Sequence, residues 1–181
     1  MGTKVLMVCL GNICRSPLAE GILTDKINND HVWVDSAGTA DYHIGKRPDP
    51  RSIAVAKKYG IDISGQRCRQ ITGKDLEEFD HIYAMDKENY KDILALAKNR
   101  EERQKVKLLL HNSIPANQEV PDPYYGDDDG FDKVFHLIDS ACETIAAEIL
   151  YFASPGTAQK GRSDLSLGEI NHKPDPRSEN L

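Results

Sequence analysis

The sequence predicts an α/β domain: a four-stranded, mostly parallel, doubly wound sheet with helices on both faces. Short β-branched apolar runs alternate along the chain with segments of helical periodicity, the pattern of repeated strand–helix–strand units. The first run, Lys4 to Cys9 (KVLMVC), is apolar at successive positions, which marks a strand buried on both faces. Turn residues punctuate the joints, at Gly11-Asn12, Gly38 and Gly60.

Each element follows in order. The run at 4–9 ends abruptly at Gly11-Asn12. Ser16-Pro17 then reads as an N-cap followed by proline at the first helical position, and Leu18, Ile22 and Leu23 continue at helical spacing. His31 to Ala37 (HVWVDSA) predicts the second strand, stopped by Gly38. Asp41 to Pro50, rich in Gly, Pro and Asp, predicts a surface loop, and Arg51 to Tyr59 a helix closed by Gly60. Asp80 to Met85 predicts the third strand, with Asp86 as cap of a helix carrying Ile93, Leu94 and Leu96. Val106 to Leu110 predicts the fourth strand, and Ser113 to Asp129 is irregular. Phe131 to Phe152 is the most amphipathic stretch, with Val134, Ile138, Ala141, Ile145 and Ile149 recurring at intervals of three and four.

The chain has 181 residues, enough for one domain with an appendage. Residues 1–154 carry the predicted elements. Residues 155–181 contain five scattered apolar side chains and four charges of each sign, and read as a disordered tail. The pentapeptide PDPRS recurs at 48–52 and 174–178 but is too short to define a repeat.

Lys and Arg number 23 against 29 Asp and Glu, a formal net charge of −6. That excludes a nucleic-acid binder or an anionic-membrane binder as the default, since both carry a basic surplus. No apolar run approaches a membrane span, and no signal peptide is visible. Four cysteines in a chain of this length do not make a disulfide framework, so a cytoplasmic, reducing setting is expected. The six histidines (31, 43, 81, 111, 136, 172) are dispersed without helical pairing, and Asp127-Asp128-Asp129 lacks the ligand spacing of a calcium loop. A solvated acidic cap for the last helix is the expected role of that run.

The chemistry concentrates in Cys9-Leu10-Gly11-Asn12-Ile13-Cys14-Arg15-Ser16-Pro17, which joins a buried strand to a helix N-terminus. Ligands of open α/β sheets bind at the carboxyl ends of strands. A helix N-terminus favours anions, and a tight loop there can turn successive N–H groups inward into a phosphate-sized nest. Gly11 gives the backbone conformations that a side chain would forbid. Cys9 opens the loop and Arg15 closes it, so thiol and guanidinium surround one anion. Such a setting favours the thiolate, which is the nucleophilic form, while the guanidinium offers a planar fork for two phosphate oxygens. The lysine and serine or threonine of a nucleotide-binding loop are missing.

VCLGNICRSP resembles the phosphate loop of the low-molecular-weight protein tyrosine phosphatases. The second signature of that family stands here as Asp122-Pro123-Tyr124, and VDSAGT at 34–39, CRQIT at 68–72 and AMD at 84–86 are similar as well; the resemblance runs from about Lys4 to Ala153. It implies hydrolysis of phosphotyrosine through a phosphocysteine. Cys9 would be the nucleophile, Arg15 the holder of the equatorial oxygens, and Asp122 the general acid and then base. Leu10, Gly11, Asn12, Ile13 and Cys14 would form the phosphate-binding loop. Asn12 would hold the loop through Ser36, and Ser16 would support the thiolate. Tyr124 would pack on the substrate ring, with Tyr42 facing it. Cys14 would form a reversible disulfide with Cys9 that protects it from over-oxidation, although a small buried thiol accounts for Cys14 equally well. Cys68 and Cys142 read as ordinary thiols.

The resemblance further implies phosphotyrosine-containing proteins or peptides as substrates, inorganic phosphate as product, no cofactor and no metal, and a monomer. Three rivals stand beside it. An arsenate reductase of the same fold relays a disulfide to two further nearby cysteines, and only Cys68 lies near the position required. A protein-arginine phosphatase resembles this loop with threonine in place of Ile13, whose apolar side chain favours tyrosine. A phosphate-binding module without turnover would need neither Cys9 nor Asp122.

Overall fold

The central strand of the sheet is the first apolar run, and its alternation divides the core in two. The computed structural model describes residues 2–113, 115, 118–125 and 129–153. The expected tail, and Asp127 and Asp128 of the acidic run, lie outside the described residues. The elements in chain order are β1 (Thr3–Cys9), α1 (Arg15–Ile27), β2 (Val32–Gly38), α2 (Pro50–Lys58), α3 (Gly73–Glu78), β3 (His81–Ala84), α4 (Lys87–Leu96), α5 (Arg100–Gln104), β4 (Val106–Leu108) and α6 (Gly130–Ala153), with one 3₁₀ turn at Pro123–Tyr125.

The four strands lie in the order β2-β1-β3-β4, and every pairing is parallel, as in an all-parallel rather than a mostly parallel sheet. Successive side chains of a strand point to opposite faces. Val5, Met7 and Cys9 of β1 therefore pack with Leu18, Ile22, Ile138 and Ile145 of α1 and α6. Leu6 and Val8 pack on the other face with Leu76, Phe79, Ile82 and Ile93. Burying each such Leu or Ile stabilises the fold by about 1.5–3 kcal/mol. From β1 the chain runs to β2 on one side, then crosses to β3 on the other. The carboxyl end of β1 is thus the point where strand order reverses, the place where open α/β sheets hold ligands.

Some boundaries depart from expectation. The fourth strand is only Val106–Leu108. On α6 the buried stripe uses Cys142, while Ala141 is half-buried. The two short helices α3 and α5 were not anticipated. The expected cap of α1 is corrected: the helix already begins at Arg15, its N-cap residue is Cys14, and no side chain caps it. Ser16 and Pro17 sit inside the first turn, where a missing proline N–H costs nothing because those N–H groups have no intrahelical partner. No helix among the described residues is long and apolar enough to cross a membrane.

Candidate active site

The loop from Cys9 to Arg15 is held from outside through its carbonyls. Thr39 N–H donates to the Cys9 carbonyl (2.9 Å), Ala40 N–H to that of Leu10 (2.9 Å) and Asp49 N–H to that of Ile13 (2.8 Å). The Cys68 thiol donates to the Asn12 carbonyl at 2.8 Å. With these oxygens tied outward, the loop's N–H groups are free to face inward. Asn12 N–H donates to Cys9 Sγ at 3.3 Å. Cys68 is a buried core thiol that also helps to hold the loop.

The strained residue of the loop is Asn12, at φ 53°, rather than Gly11. An asparagine tolerates this left-handed conformation better than most side chains. Gly11 sits close to His43 instead: a Cβ there would stand 3.1 Å from the ring, a tight contact that the histidine side chain would have to relieve. Gly38 is tighter still: a Cβ on it would meet the Leu10 carbonyl oxygen at 2.7 Å, so β2 can approach the loop only as glycine.

Asn12 is buried and fully engaged. Its amide donates to Ser16 Oγ and to Ser36 Oγ, both at 2.9 Å, and its Oδ1 accepts from the Arg69 N–H at 2.9 Å. Ser16 Oγ lies 3.1 Å from Cys9 Sγ. The hydroxyl that the sequence suggested as a helix cap thus faces the sulfur.

Arg15 is 4% exposed. Its Nη1 donates to Asp86 Oδ2 (2.6 Å) and to the Val120 carbonyl (3.1 Å), and its Nη2 reaches Asp122 Oδ2 at 3.3 Å. Burial works against the guanidinium charge. The Cys9 sulfur and the carboxylates of Asp86 and Asp122 outweigh it and hold Arg15 above the ordinary arginine range. Asp86 has a second task, since its Oδ1 accepts from the Asn89 N–H and caps α4. The sequence marked only the cap.

Asp122 opens the 3₁₀ turn, its Oδ1 accepting from Tyr124 N–H at 3.0 Å. The Arg51 guanidinium lies between the rings of Tyr124 (5.0 Å) and Phe131 (4.6 Å) and donates to the Tyr124 carbonyl, which braces this segment against α2 and α6. Sequence reading missed Arg51, because the stacking joins residues more than seventy positions apart.

Cys9, Cys14, Arg15, Asp122 and Tyr124 border one cavity of about 180 Å³, together with Leu10, Gly11, Ile13, Tyr42 and His43. The loop from Cys9 to Arg15 forms its floor, and Tyr42, His43, Asp122 and Tyr124 form its walls. Cys9 is 2% exposed, whereas Tyr124 and Tyr42 at the rim are 42% and 67% exposed. Cys14 borders the same cavity; burial, then Asp49, push its thiol up to about 12, with Ser52 opposing in part. Ser36 lines no part of the cavity and is joined to the loop through Asn12. All four cysteines are free thiols, and among the described residues no cluster of His, Cys, Asp and Glu could hold a metal ion.

Comparison with known proteins identifies the family. The family model described as low molecular weight phosphotyrosine protein phosphatase matches residues 4–151. The low molecular weight phosphotyrosine protein phosphatase of Schizosaccharomyces pombe is 41% identical over 143 residues, covering 75% of this chain and 90% of that protein. The crystal structure of YfkJ from Bacillus subtilis superposes with a TM-score of 0.78 at 37% identity, over 85% of this chain and 98% of that one. The structure of Vibrio vulnificus Wzb in complex with benzylphosphonate has a TM-score of 0.74 at 32% identity, over 82% of this chain and 99% of that one. With the match spanning both the loop at 9–15 and the Asp122 segment, the chain belongs to the low molecular weight phosphotyrosine protein phosphatase family and is an enzyme of that class.

Proposed function

We propose that the enzyme hydrolyses phosphotyrosine in proteins or peptides in two steps, through a phosphocysteine on Cys9. In the first, Cys9 Sγ attacks phosphorus and the bond from phosphorus to the phenolic oxygen breaks. Asp122, as the acid, gives its proton to that oxygen and tyrosine leaves. In the second, water attacks phosphorus, Asp122 now takes the water's proton, the sulfur–phosphorus bond breaks, and inorganic phosphate and the thiolate are released. Arg15 binds two equatorial oxygens throughout and stabilises the charge that develops on them. Inward N–H groups of residues 10–14 hold the remaining charge, and Ser16 and Asn12 donate toward the sulfur. No step calls for a metal or a cofactor.

One observation carries this reading: Cys9, Arg15 and Asp122 border the same cavity. The preference for tyrosine rests on depth. A phosphoryl group must reach a sulfur that is 2% exposed past a rim of exposed aromatic rings, which a phenyl spacer does and a serine side chain does not. Tyr124 and Tyr42 would stack on that ring. The benzylphosphonate in the Wzb structure places a phosphonate one methylene from a phenyl ring, as phosphotyrosine places a phosphate one oxygen from its ring.

Cys14 would act as the resolving thiol. Peroxide oxidises Cys9 to a sulfenic acid, and Cys14 displaces water from it to give a disulfide. The free thiols fit a reducing cytoplasm, and the working unit would be residues 1–154 of a monomer, with the tail dispensable for catalysis.

The test is a panel of phosphotyrosine, phosphoserine and phosphoarginine peptides with arsenate reduction alongside. Turnover of the phosphotyrosine peptide alone is expected. Comparable rates on phosphoserine or phosphoarginine, or thiol-dependent arsenate reduction, would overturn the assignment.

A further inference from the structure

The hydrogen bonds that hold the phosphate loop do not end at Ser36. Ser36 Oγ donates to Glu20 Oε2 at 2.6 Å. Glu20 lies on α1, five residues beyond Arg15, and borders a separate groove of about 410 Å³ lined by α1 and residues 60–66. A continuous chain therefore runs from the groove to the nucleophile: Glu20, Ser36, Asn12, Ser16, Cys9; the Ser16 hydroxyl is shared there between Cys9 Sγ at 3.1 Å and the Ala37 carbonyl at 3.3 Å.

Hydrogen counting gives the chain a direction. Asn12 donates both amide hydrogens, one to each serine, and its Oδ1 is fixed by Arg69 N–H, so the amide cannot turn over. Ser36 must then present a lone pair to Asn12 and send its single hydrogen elsewhere, and Glu20 is the acceptor that takes it. A carboxylate accepts without competition. A protonated carboxyl brings a second donor to Ser36, where it competes with the Asn12 amide. Asn12 is also the loop's left-handed residue and sends its own N–H to the sulfur, so whatever loosens its side chain loosens the nucleophile's surroundings.

We propose that Glu20 is a positioning residue for the phosphatase reaction: as a carboxylate it orders the Ser36–Asn12–Ser16 chain beneath Cys9, and on protonation it releases that order. This rests on the assignment of Cys9 as nucleophile. The charges around Glu20 place its titration in the working range. Burial, above all, raises it to about 7; Asp35 on β2 adds to this, while Ser36, Arg69 and Gln66 oppose. Arg69 is already committed to Asp35 (2.8 Å) and Asp75 (3.0 Å). Asp25 on α1 and Asp62 beyond α2 border the same groove and add no cation.

The experiment measures the rate of Cys9 alkylation by iodoacetamide, with kcat/KM for p-nitrophenyl phosphate, from pH 5 to 9 in the full-length enzyme. Wild type is expected to show an inflection near pH 7 that Glu20→Gln removes, because glutamine still accepts the Ser36 hydrogen but does not titrate. Glu20→Ala, which removes the acceptor, should lower both rates about tenfold at pH 8 to 9, where wild type carries the carboxylate, with the gap closing toward pH 5. Asp25→Asn, which removes a carboxylate from the groove but not from the chain, should keep the inflection. The inflection surviving in Glu20→Gln, or Glu20→Ala matching wild type at pH 8 to 9 while folded, overturns the proposal. Failure of the wild type to lose turnover on Cys9 alkylation would instead overturn the nucleophile assignment, so the two failures are distinguishable.

Discussion

Arg15 Nη1 lies 2.6 Å from Asp86 Oδ2, so the loop after β1 is anchored to the residue that caps the helix after β3. One carboxylate, with an oxygen for each task, ties together the two strand ends at the point where strand order reverses. The guanidinium is thereby aimed at the cavity, where its Nη2 reaches Asp122 Oδ2 at 3.3 Å; in the proposed mechanism a phosphoryl oxygen would take that place.

Asp86→Ala should therefore damage stability and rate together. It leaves a buried guanidinium with one strong partner fewer and removes the α4 cap, a cost of about 3 kcal/mol, or roughly 6–12 °C in Tm for a chain of this size. The rate should fall about 100-fold through misplacement of Arg15. Thermal melting and steady-state kinetics on p-nitrophenyl phosphate check both; an unchanged kcat would show that Arg15 does not need this anchor.

Asp122→Ala should depend on the leaving group. On phenyl phosphate, whose phenolate needs a proton to depart, kcat should fall by about 10²–10⁴-fold. On p-nitrophenyl phosphate, whose phenolate leaves more readily, the loss should be smaller. Equal losses on the two esters would remove the general-acid role.

Glu20 also gives stability a pH dependence of known sign. Its folded-state carboxyl titrates near 7, above the ordinary carboxylate range, chiefly because of burial. The folded protein holds that proton more tightly than the unfolded chain does, so the contribution to stability is complete below about pH 4.5 and is lost as pH rises toward 7. Glu20→Gln, which never carries the charge, should gain Tm relative to wild type progressively from pH 5 to pH 8. A difference independent of pH would contradict the shifted titration.

Cys14→Ser should leave turnover of the reduced enzyme nearly unchanged and alter recovery from oxidation. After a brief peroxide pulse, dithiothreitol should restore wild type and restore the variant less completely, since its Cys9 lacks a resolving thiol and proceeds to the sulfinic acid. Full recovery of both proteins would leave Cys14 as a small buried side chain. The thiol pushed up to about 12 by burial sets the tempo, because little of it is thiolate at rest.

What the sequence made legible and what it hid follow from the range of the interactions. The loop from Cys9 to Arg15 is readable because strand, turn and helix start within fifteen residues, and the doubly wound sheet is readable because β1 is apolar on both faces. Read locally, Ser16 before proline and a helical stretch is the usual sign of a cap, and only the family resemblance pointed its hydroxyl toward the sulfur. Here the loop draws the helix start back to Arg15 and turns the hydroxyl toward sulfur instead. The helix α3 was missed although Thr72 and Asp75 form a capping box, since six residues hold too little apolar periodicity to read. Asp86, Arg51 and Glu20 were beyond reach for a different reason. Each meets its partner across two or more elements, as Glu20 meets Ser36 only once α1 packs beside β2.

The most direct measurement of the central claim is rapid quenching of the enzyme during turnover of a phosphotyrosine peptide, followed by mass spectrometry of the digested protein. The account predicts one phosphoryl group on Cys9, accumulating in Asp122→Ala if that variant slows the second step more than the first, and absent in Cys9→Ser, whose turnover falls by about four orders of magnitude or more. A phosphoryl group on another residue, or turnover retained by Cys9→Ser, would contradict it.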